Sequence, residues 1–207
     1  MFDAFFFDMD GTLLDTEILW VEATECFVRD CGFEPRYEDV LEDVYGISWR
    51  GVREKTQRRY AGLEWDWEAV KSHFTRLCDI RPLPIEGSIQ LLHRLAEDYP
   101  VAVVSGSTQE DVQAGLARIG VLHSLAFTLD DSCYYPGKPD PACYRMAAER
   151  LGADPARCAV FEDSTAGLVA AKGAGMYGVA LVRPGRPAQD VSMADVVLDD
   201  LSLFSPS

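Results

Sequence analysis

The sequence predicts an α/β fold: a doubly wound parallel sheet of Rossmann-like type, with an α-helical cap domain inserted after its first strand. Three observations carry this reading. Short apolar runs alternate with helical patterns, the rhythm that builds a parallel sheet covered by helices on both faces. Each run stops at polar or glycine-containing residues, which places those residues outside the carboxyl ends of the strands. Between roughly residues 17 and 82 the alternation fails and only helical faces remain.

In chain order, Ala4-Phe5-Phe6-Phe7 is a continuous apolar run, the pattern of a strand buried on both faces, and Asp8-Met9-Asp10-Gly11 is the sharp turn that ends it. The insert presents helical faces such as Trp20, Ala23, Phe27, Cys31 and Trp67, Val70, Phe74, Leu77. All four tryptophans, Trp20, Trp49, Trp65 and Trp67, fall in it and read as its core. Hinges are expected near Leu14–Thr16 and Arg81–Gly87, where Pro82 and Pro84 interrupt helix and Gly87 relaxes the backbone. The domains are therefore 1–15 with 84–207 as the α/β core and 16–83 as the helical cap. Beyond the insert, a helix with Ile89, Leu92, Leu95 and Ala96 on one face precedes the strand Val101–Val104. Thr108 caps a helix carrying Val112, Leu116 and Ile119, with Glu110 and Asp111 as dipole partners in its first turn. A less distinct strand, Leu125–Thr128, leads to a helix bearing Tyr144, Ala147, Ala148 and Leu151. Ala159–Phe161 and Val179–Val182 are further strands, Asp195–Leu198 a less distinct one, and Leu201–Ser207 reads as a frayed end.

Composition narrows the function classes. The chain has 207 residues, 48% of them hydrophobic, enough to bury a core and to exclude disorder. Asp+Glu 34 against Lys+Arg 19 gives −15, a field that repels nucleic acid and anionic membrane surfaces. The same field repels a phosphorylated metabolite, so such a ligand requires a local cation. There are four lysines, Lys55, Lys71, Lys138 and Lys172, so the place of each is informative. The six cysteines form no CxxC pair and lack histidines at metal-site spacing, which reads as reduced, buried thiols in a cytoplasmic protein. No basic leader and no stretch of roughly 18 apolar residues is visible. A monomer or weak homo-oligomer is expected, with neither nucleic acid nor membrane as partner. His73, His93 and His123 lie at no motif and read as surface or packing residues.

Chemistry gathers at the strand ends. Asp8 and Asp10 can converge on one point because the chain leaves the strand and turns at Gly11. A second acid pair, Glu162-Asp163, ends another strand, and like charges at one rim repel unless a cation lies between them. All-oxygen ligation favours Mg²⁺. Ser105 supplies a hydroxyl, and Gly106 lets backbone amides approach an anion. Prolines at 139 and 141 stiffen the loop that carries Lys138. Together these are the parts that phosphoryl transfer requires.

Four segments, Phe7-Asp8-Met9-Asp10-Gly11-Thr12-Leu13-Leu14-Asp15-Thr16-Glu17, Val104-Ser105-Gly106-Ser107, Gly137-Lys138-Pro139-Asp140-Pro141 and Phe161-Glu162-Asp163-Ser164-Thr165-Ala166-Gly167, resemble the ordered motifs of the haloacid dehalogenase superfamily. The insert resembles the cap of its β-phosphoglucomutase-like phosphatase branch. This resemblance implies hydrolysis of a small phosphate monoester, such as a sugar or polyol phosphate, through an aspartyl-phosphate. Asp8 would be the nucleophile and Asp10 the acid and base. Ser105, Gly106 and Lys138 would hold phosphoryl oxygens. Mg²⁺ would be bound by Asp8, Asp163 and the carbonyl of Asp10, with Glu162 a ligand through water or an orienting neighbour.

Departures from the family pattern matter too. Dehalogenases and phosphonatases lack the second acid of the first motif, so Asp10 argues against both, and Lys55 has no Schiff-base role. A sugar phosphate mutase is the main alternative. There the cap carries a histidine where this chain has Trp20, and a phosphate-contacting arginine where it has Trp49, one place before Arg50. Hydrolysis is favoured on that ground, and Thr16, Trp20, Gly46 and Arg50 are kept as candidate cap contacts. The alternative of another class, a non-catalytic Mg²⁺-dependent phospho-acceptor module, has its acids and acceptor in a different order along the chain.

Overall fold

In the computed structural model, residues 2–47, 49–81 and 84–206 are described. The chain divides into two compact units, Met1–Leu14 with Pro84–Ser207, and Asp15–Leu83. Along the sequence, strand β1 (Ala4–Phe7) opens the first unit, and helices α1 (Thr16–Asp30), α2 (Tyr37–Val44), α3 (Trp49–Arg59) and α4 (Trp67–Ile80) make up the second. The first unit resumes with α5 (Glu86–Ala96), β2 (Val101–Val104), α6 (Gln109–Arg118), β3 (Phe127–Leu129) and α7 (Ala142–Leu151). It ends with β4 (Cys158–Glu162), α8 (Thr165–Gly173), β5 (Tyr177–Leu181) and β6 (Val196–Leu198).

The six strands form one sheet in the order β3-β2-β1-β4-β5-β6, every neighbouring pair parallel. Strand alternation sorts its side chains into two cores. Phe5, Phe7, Val101, Val103, Ala159 and Phe161 face α5 and α6, packing with Leu91, Leu92, Leu95, Val112 and Leu116. Ala4, Phe6, Ala102, Val104, Cys158 and Val160 pack on the opposite side with Tyr144, Ala147 and Ala148 of α7 and Ala170 and Ala171 of α8. Covered on both faces, β1 has no polar position to spare, and each of its fully buried phenylalanines contributes about 1.5–3 kcal/mol. Register levels the strand ends: Phe7 lies opposite both Val103 and Phe161. The residues just past each of these strands therefore emerge at one rim, on either side of the point where the sheet order reverses direction.

The chain leaves and re-enters this unit at one place. Leu14 bridges antiparallel to Pro84, and the Ile85 N–H donates to the Leu13 carbonyl at 2.9 Å. Pro82, expected to interrupt helix here, lies outside the described residues.

Within the second unit, α1 contributes to two small cores. Ile18 and Val21 join Val40, Val44, Tyr45 and Val52; Ala23, Phe27 and Val28 join Leu63 and Val70. Asp66 caps α4 by accepting from the Glu68 and Ala69 amides at 3.0 and 3.2 Å. Arg59 grips the buried Asp43 carboxylate through two bonds of 2.7 and 3.0 Å.

Three expectations need correction. The C-terminal segment is not frayed: Leu201–Leu203 form a 3-10 turn, and Leu201 and Phe204 are buried in the first core, Phe204 packing on Phe161 at 5.0 Å. Ser207 lies outside the described residues. Gly87 does not loosen a hinge but sits inside α5 under Asp200, whose Oδ1 lies 1.9 Å from where a Cβ would be. The thiols are all free but not all buried: Cys31 is exposed and Cys26 and Cys133 are half-buried.

Candidate active site

Three adjacent strands deliver the acids and the serine. Asp8 follows β1, its amide donating to the Phe161 carbonyl of β4 at 3.0 Å. Ser105 follows β2, its amide bonded to the Leu129 carbonyl of β3 at 2.9 Å. Glu162 closes β4 and Asp163 follows it. After Asp8 the chain turns tightly, with the amides of Leu13 and Leu14 both on the Met9 carbonyl and Gly11 in the left-handed region at φ +91°. Glycine is required there twice over, since a Cβ would also stand 2.0 Å from Asp163 Oδ2.

Lys138 ties the group together. Its ammonium donates to Asp8 Oδ1 at 2.7 Å, Glu162 Oε1 at 2.6 Å and the Val104 carbonyl at 3.0 Å. Those three acceptors use all three of its protons. Glu162, fully buried, is satisfied at both oxygens. Oε1 accepts from the Tyr144 hydroxyl at 2.8 Å as well as from Lys138, and Oε2 accepts from the Ser164 hydroxyl at 2.9 Å and amide at 3.3 Å. Ser164 in turn caps α8, accepting from the Gly167 amide at 3.0 Å. Asp10 stands in a different setting. One of its oxygens accepts from the hydroxyls of Ser105 at 3.2 Å and Ser107 at 2.7 Å, and the Ser107 amide donates to the Ser105 hydroxyl at 3.1 Å.

Burial disfavours charge on both Asp8 and Lys138, with opposite results. Desolvation would lower Lys138, but Asp8 and Glu162 outweigh it and hold the ammonium well above its ordinary value. Desolvation, joined by Glu162 and Asp10, pushes Asp8 well up in spite of Lys138. Asp8, Asp10, Glu162 and Asp163 meet at this rim, and among the described residues the Lys138 ammonium is bonded to two of them, Asp8 and Glu162. The donor set fits a divalent cation: carboxylate oxygens of Asp8, Glu162 and Asp163 all lie within 4.8 Å of one another, all three residues buried. With Glu162 engaged by Lys138, Tyr144 and Ser164, the carboxylates better placed to carry such an ion are Asp8 and Asp163.

The structure thus brings Asp8, Asp10, Ser105, Lys138, Glu162 and Asp163 to one rim. Gly106 is exposed, with open space where a Cβ would point. Within the insert, Thr16 is buried at the start of α1, and Gly46 turns the chain after α2 at φ +68°. Arg50 holds its side chain 90% exposed beside Glu54 at 3.3 Å. Trp20 stacks on Phe74 with ring centroids 3.5 Å apart and meets Trp49 and Trp67 at 4.7 and 5.4 Å. Trp49 is 37% exposed, so the tryptophans border the insert's cores rather than fill them.

Sequence reasoning missed several partners. The spacing of Tyr144 puts it on a packing face, and nothing in the periodicity shows that its hydroxyl reaches an acid at position 162. Thr12 donates to Asp163 Oδ1 at 3.2 Å, and the Tyr134 hydroxyl to the Ser105 carbonyl at 2.7 Å. Ser107 was within reach, since a hydroxyl two residues past Ser105 in the same turn has to face the same rim.

Known proteins resemble this chain over most of its length. The profile of the haloacid dehalogenase-like hydrolase family matches residues 2–175. The validoxylamine A 7'-phosphate phosphatase of Streptomyces hygroscopicus subsp. limoneus is 30% identical over 98% of this chain and 95% of its own. The fructose-1-phosphate phosphatase of Escherichia coli K12 is 30% identical over 84% of this chain and 93% of its own. Among solved structures, a haloacid dehalogenase family hydrolase of Deinococcus radiodurans, with bound phosphate and sodium, superposes with a TM-score of 0.79 at 27% identity, covering 95% of this chain and 90% of that one.

Proposed function

The chain belongs to the haloacid dehalogenase-like hydrolase family, and we propose that it is a Mg²⁺-dependent phosphatase of a small sugar or polyol phosphate, working through an aspartyl-phosphate on Asp8. The observation that carries the reading is the division of labour between two carboxylates on one turn. Asp8 is clamped by a buried ammonium at 2.7 Å, whereas Asp10 accepts from the neutral hydroxyls of Ser105 and Ser107. A clamped carboxylate is fixed in direction and suits attack, while one two residues further along the same turn is placed to pass a proton to the leaving oxygen and to take one from water. The relatives' names, phosphatases of validoxylamine A 7'-phosphate and of fructose 1-phosphate, point the same way.

In the first half-reaction Asp8 Oδ2, the oxygen not held by Lys138, attacks phosphorus. The bond to the leaving oxygen breaks as Asp10 gives that oxygen its proton. In the second, Asp10 takes a proton from water, the water oxygen attacks phosphorus, and the Asp8–phosphorus bond breaks. Lys138 keeps Asp8 oriented and offsets charge beside it, and Glu162 keeps Lys138 oriented. Ser105 and the open turn at Gly106 receive phosphoryl oxygens. Asp8, Asp163 and the Asp10 carbonyl would hold Mg²⁺, which when bound supplies positive charge to the phosphoryl group.

The test is a panel of phosphorylated metabolites assayed for phosphate release with Mg²⁺ and with chelator, using wild type and Asp8→Asn. Release that needs Mg²⁺ and falls below a few per cent in the variant is expected; a variant that keeps its turnover refutes the covalent route. Including β-glucose 1-phosphate with a glucose 6-phosphate readout separates hydrolysis from isomerisation. With acetyl phosphate, a label retained for long periods in place of repeated turnover would identify a phospho-acceptor module.

A further inference from the structure

Tyr144 touches both members of the ion pair behind the candidate nucleophile. Its hydroxyl donates to Glu162 Oε1 at 2.8 Å, and the Lys138 ammonium lies 5.1 Å from the centre of its ring. It stands outside the four strand-end segments, near the start of α7, the helix that follows the loop carrying Lys138. We propose that Tyr144 is a positioning residue of the phosphatase reaction, an assignment that rests on that reading: its hydroxyl completes the bonding of Glu162 and thereby holds the Lys138 ammonium on Asp8.

The donors around Glu162 show why one hydroxyl matters. A carboxylate has about four lone-pair sites. Oε1 accepts from Lys138 and Tyr144, and Oε2 from the hydroxyl and the amide of Ser164, so the group is full. Glu162 is also completely buried, with no solvent contact from which to replace a lost partner. Without the Tyr144 hydroxyl, Lys138 is the one donor left to Oε1 among the described residues. A buried carboxylate oxygen left with one cationic donor pulls on it harder, and the ammonium shifts toward Glu162 at the expense of Asp8.

The ring fixes the hydroxyl in place. Tyr144 is fully buried in the core that holds Phe6, Val104 and Val160, its centroid 6.5 Å from that of Phe6. An ammonium within about 6 Å of an aromatic face is attracted to it, so the ring itself also favours Lys138 where it stands. Packing alone asks for no more than the ring, which phenylalanine would supply; the hydroxyl is the part that only the ion pair explains. In the proposed reaction Lys138 holds Oδ1 of Asp8 while Oδ2 attacks, and a drift of the ammonium misdirects the nucleophile without weakening the grip on substrate.

The experiment compares wild type, Tyr144→Phe and Cys158→Ala. Cys158 lies in the same core at the end of β4 away from Glu162, and so controls for lost packing. On a phosphate monoester turned over by wild type with Mg²⁺, Tyr144→Phe should lose about tenfold in kcat with KM within about twofold, and Cys158→Ala should stay within about twofold in both. A Tyr144→Phe enzyme whose kcat stays within about twofold of wild type, or falls no further than that of Cys158→Ala, overturns the proposal. Crystal structures of wild type and Tyr144→Phe grown under one condition give a readout independent of turnover. The distance from Lys138 Nζ to Asp8 Oδ1, 2.7 Å with the tyrosine in place, should lengthen beyond about 3.2 Å. An unchanged distance overturns the positioning role. A lengthened distance in a protein whose wild type turns over no phosphate monoester upholds that role and strikes the hydrolysis reading alone.

Discussion

Gly167→Ala sets two physical effects against each other, and the structure decides between them. Gly167 is buried within α8, where replacing glycine by alanine ordinarily stabilises a helix by about 1 kcal/mol. Here the new Cβ would lie 1.8 Å from Glu162 Oε1 and 1.9 Å from its Cδ. The carboxylate would have to retreat by more than an ångström. It cannot do so cheaply, because Lys138, Tyr144 and Ser164 hold it at 2.6, 2.8 and 2.9 Å and the residue has no exposure. Giving up two such charge-assisted bonds costs about 3–6 kcal/mol, so the net expectation is a destabilisation of about 2–5 kcal/mol. Gly173→Ala, in the same helix with its Cβ 3.3 Å from Pro141, is the control and should be near neutral. Urea unfolding should be followed by far-UV circular dichroism, because all four tryptophans lie in the Asp15–Leu83 unit and their fluorescence reports on the wrong one. A Gly167→Ala protein as stable as Gly173→Ala would refute the claim that Glu162 is pinned.

Gly11→Ala combines a left-handed backbone cost of about 1–2 kcal/mol with a Cβ 2.0 Å from Asp163 Oδ2. Mg²⁺ affinity measured by calorimetry should drop at least about tenfold; an unchanged affinity would remove Asp163 from the proposed ligands. Asp10→Asn should lose most turnover on alkyl phosphates and far less on an activated aryl phosphate, whose leaving group needs little protonation. Equal losses on both would deny Asp10 an acid role. Arg59→Met leaves the Asp43 carboxylate buried without its two bonds and should destabilise the helical insert by about 3 kcal/mol, read by tryptophan fluorescence in urea. An unshifted transition there would show the pair to be dispensable.

The part of the fold that could be read from the sequence was the part a parallel sheet forces into view. A strand buried on both faces is an uninterrupted apolar run, so Asp8, Ser105 and Glu162 stood out as the first polar residues after Phe7, Val104 and Phe161. Level register then brought them to one rim. The supporting hydroxyls were hidden for a different reason. Tyr144 has the spacing of a packing residue, and its ring does pack; only the fold reveals that its far end meets an acid 18 positions later. The chain end was misread because Leu201 and Phe204 sit in a turn too short to show a period and next to polar residues, although Phe204 meets three other rings of the first core.

The bridge between Leu14 and Pro84 reaches beyond geometry. A long excursion that exits and returns through one seam leaves the sheet's own connectivity untouched. Loop-closure entropy grows only slowly with length, so excursions of different size and content cost the host nearly the same. Such a seam acts as a graft junction: the insert can vary in length and content while the strand order and register of the host sheet stay as they are.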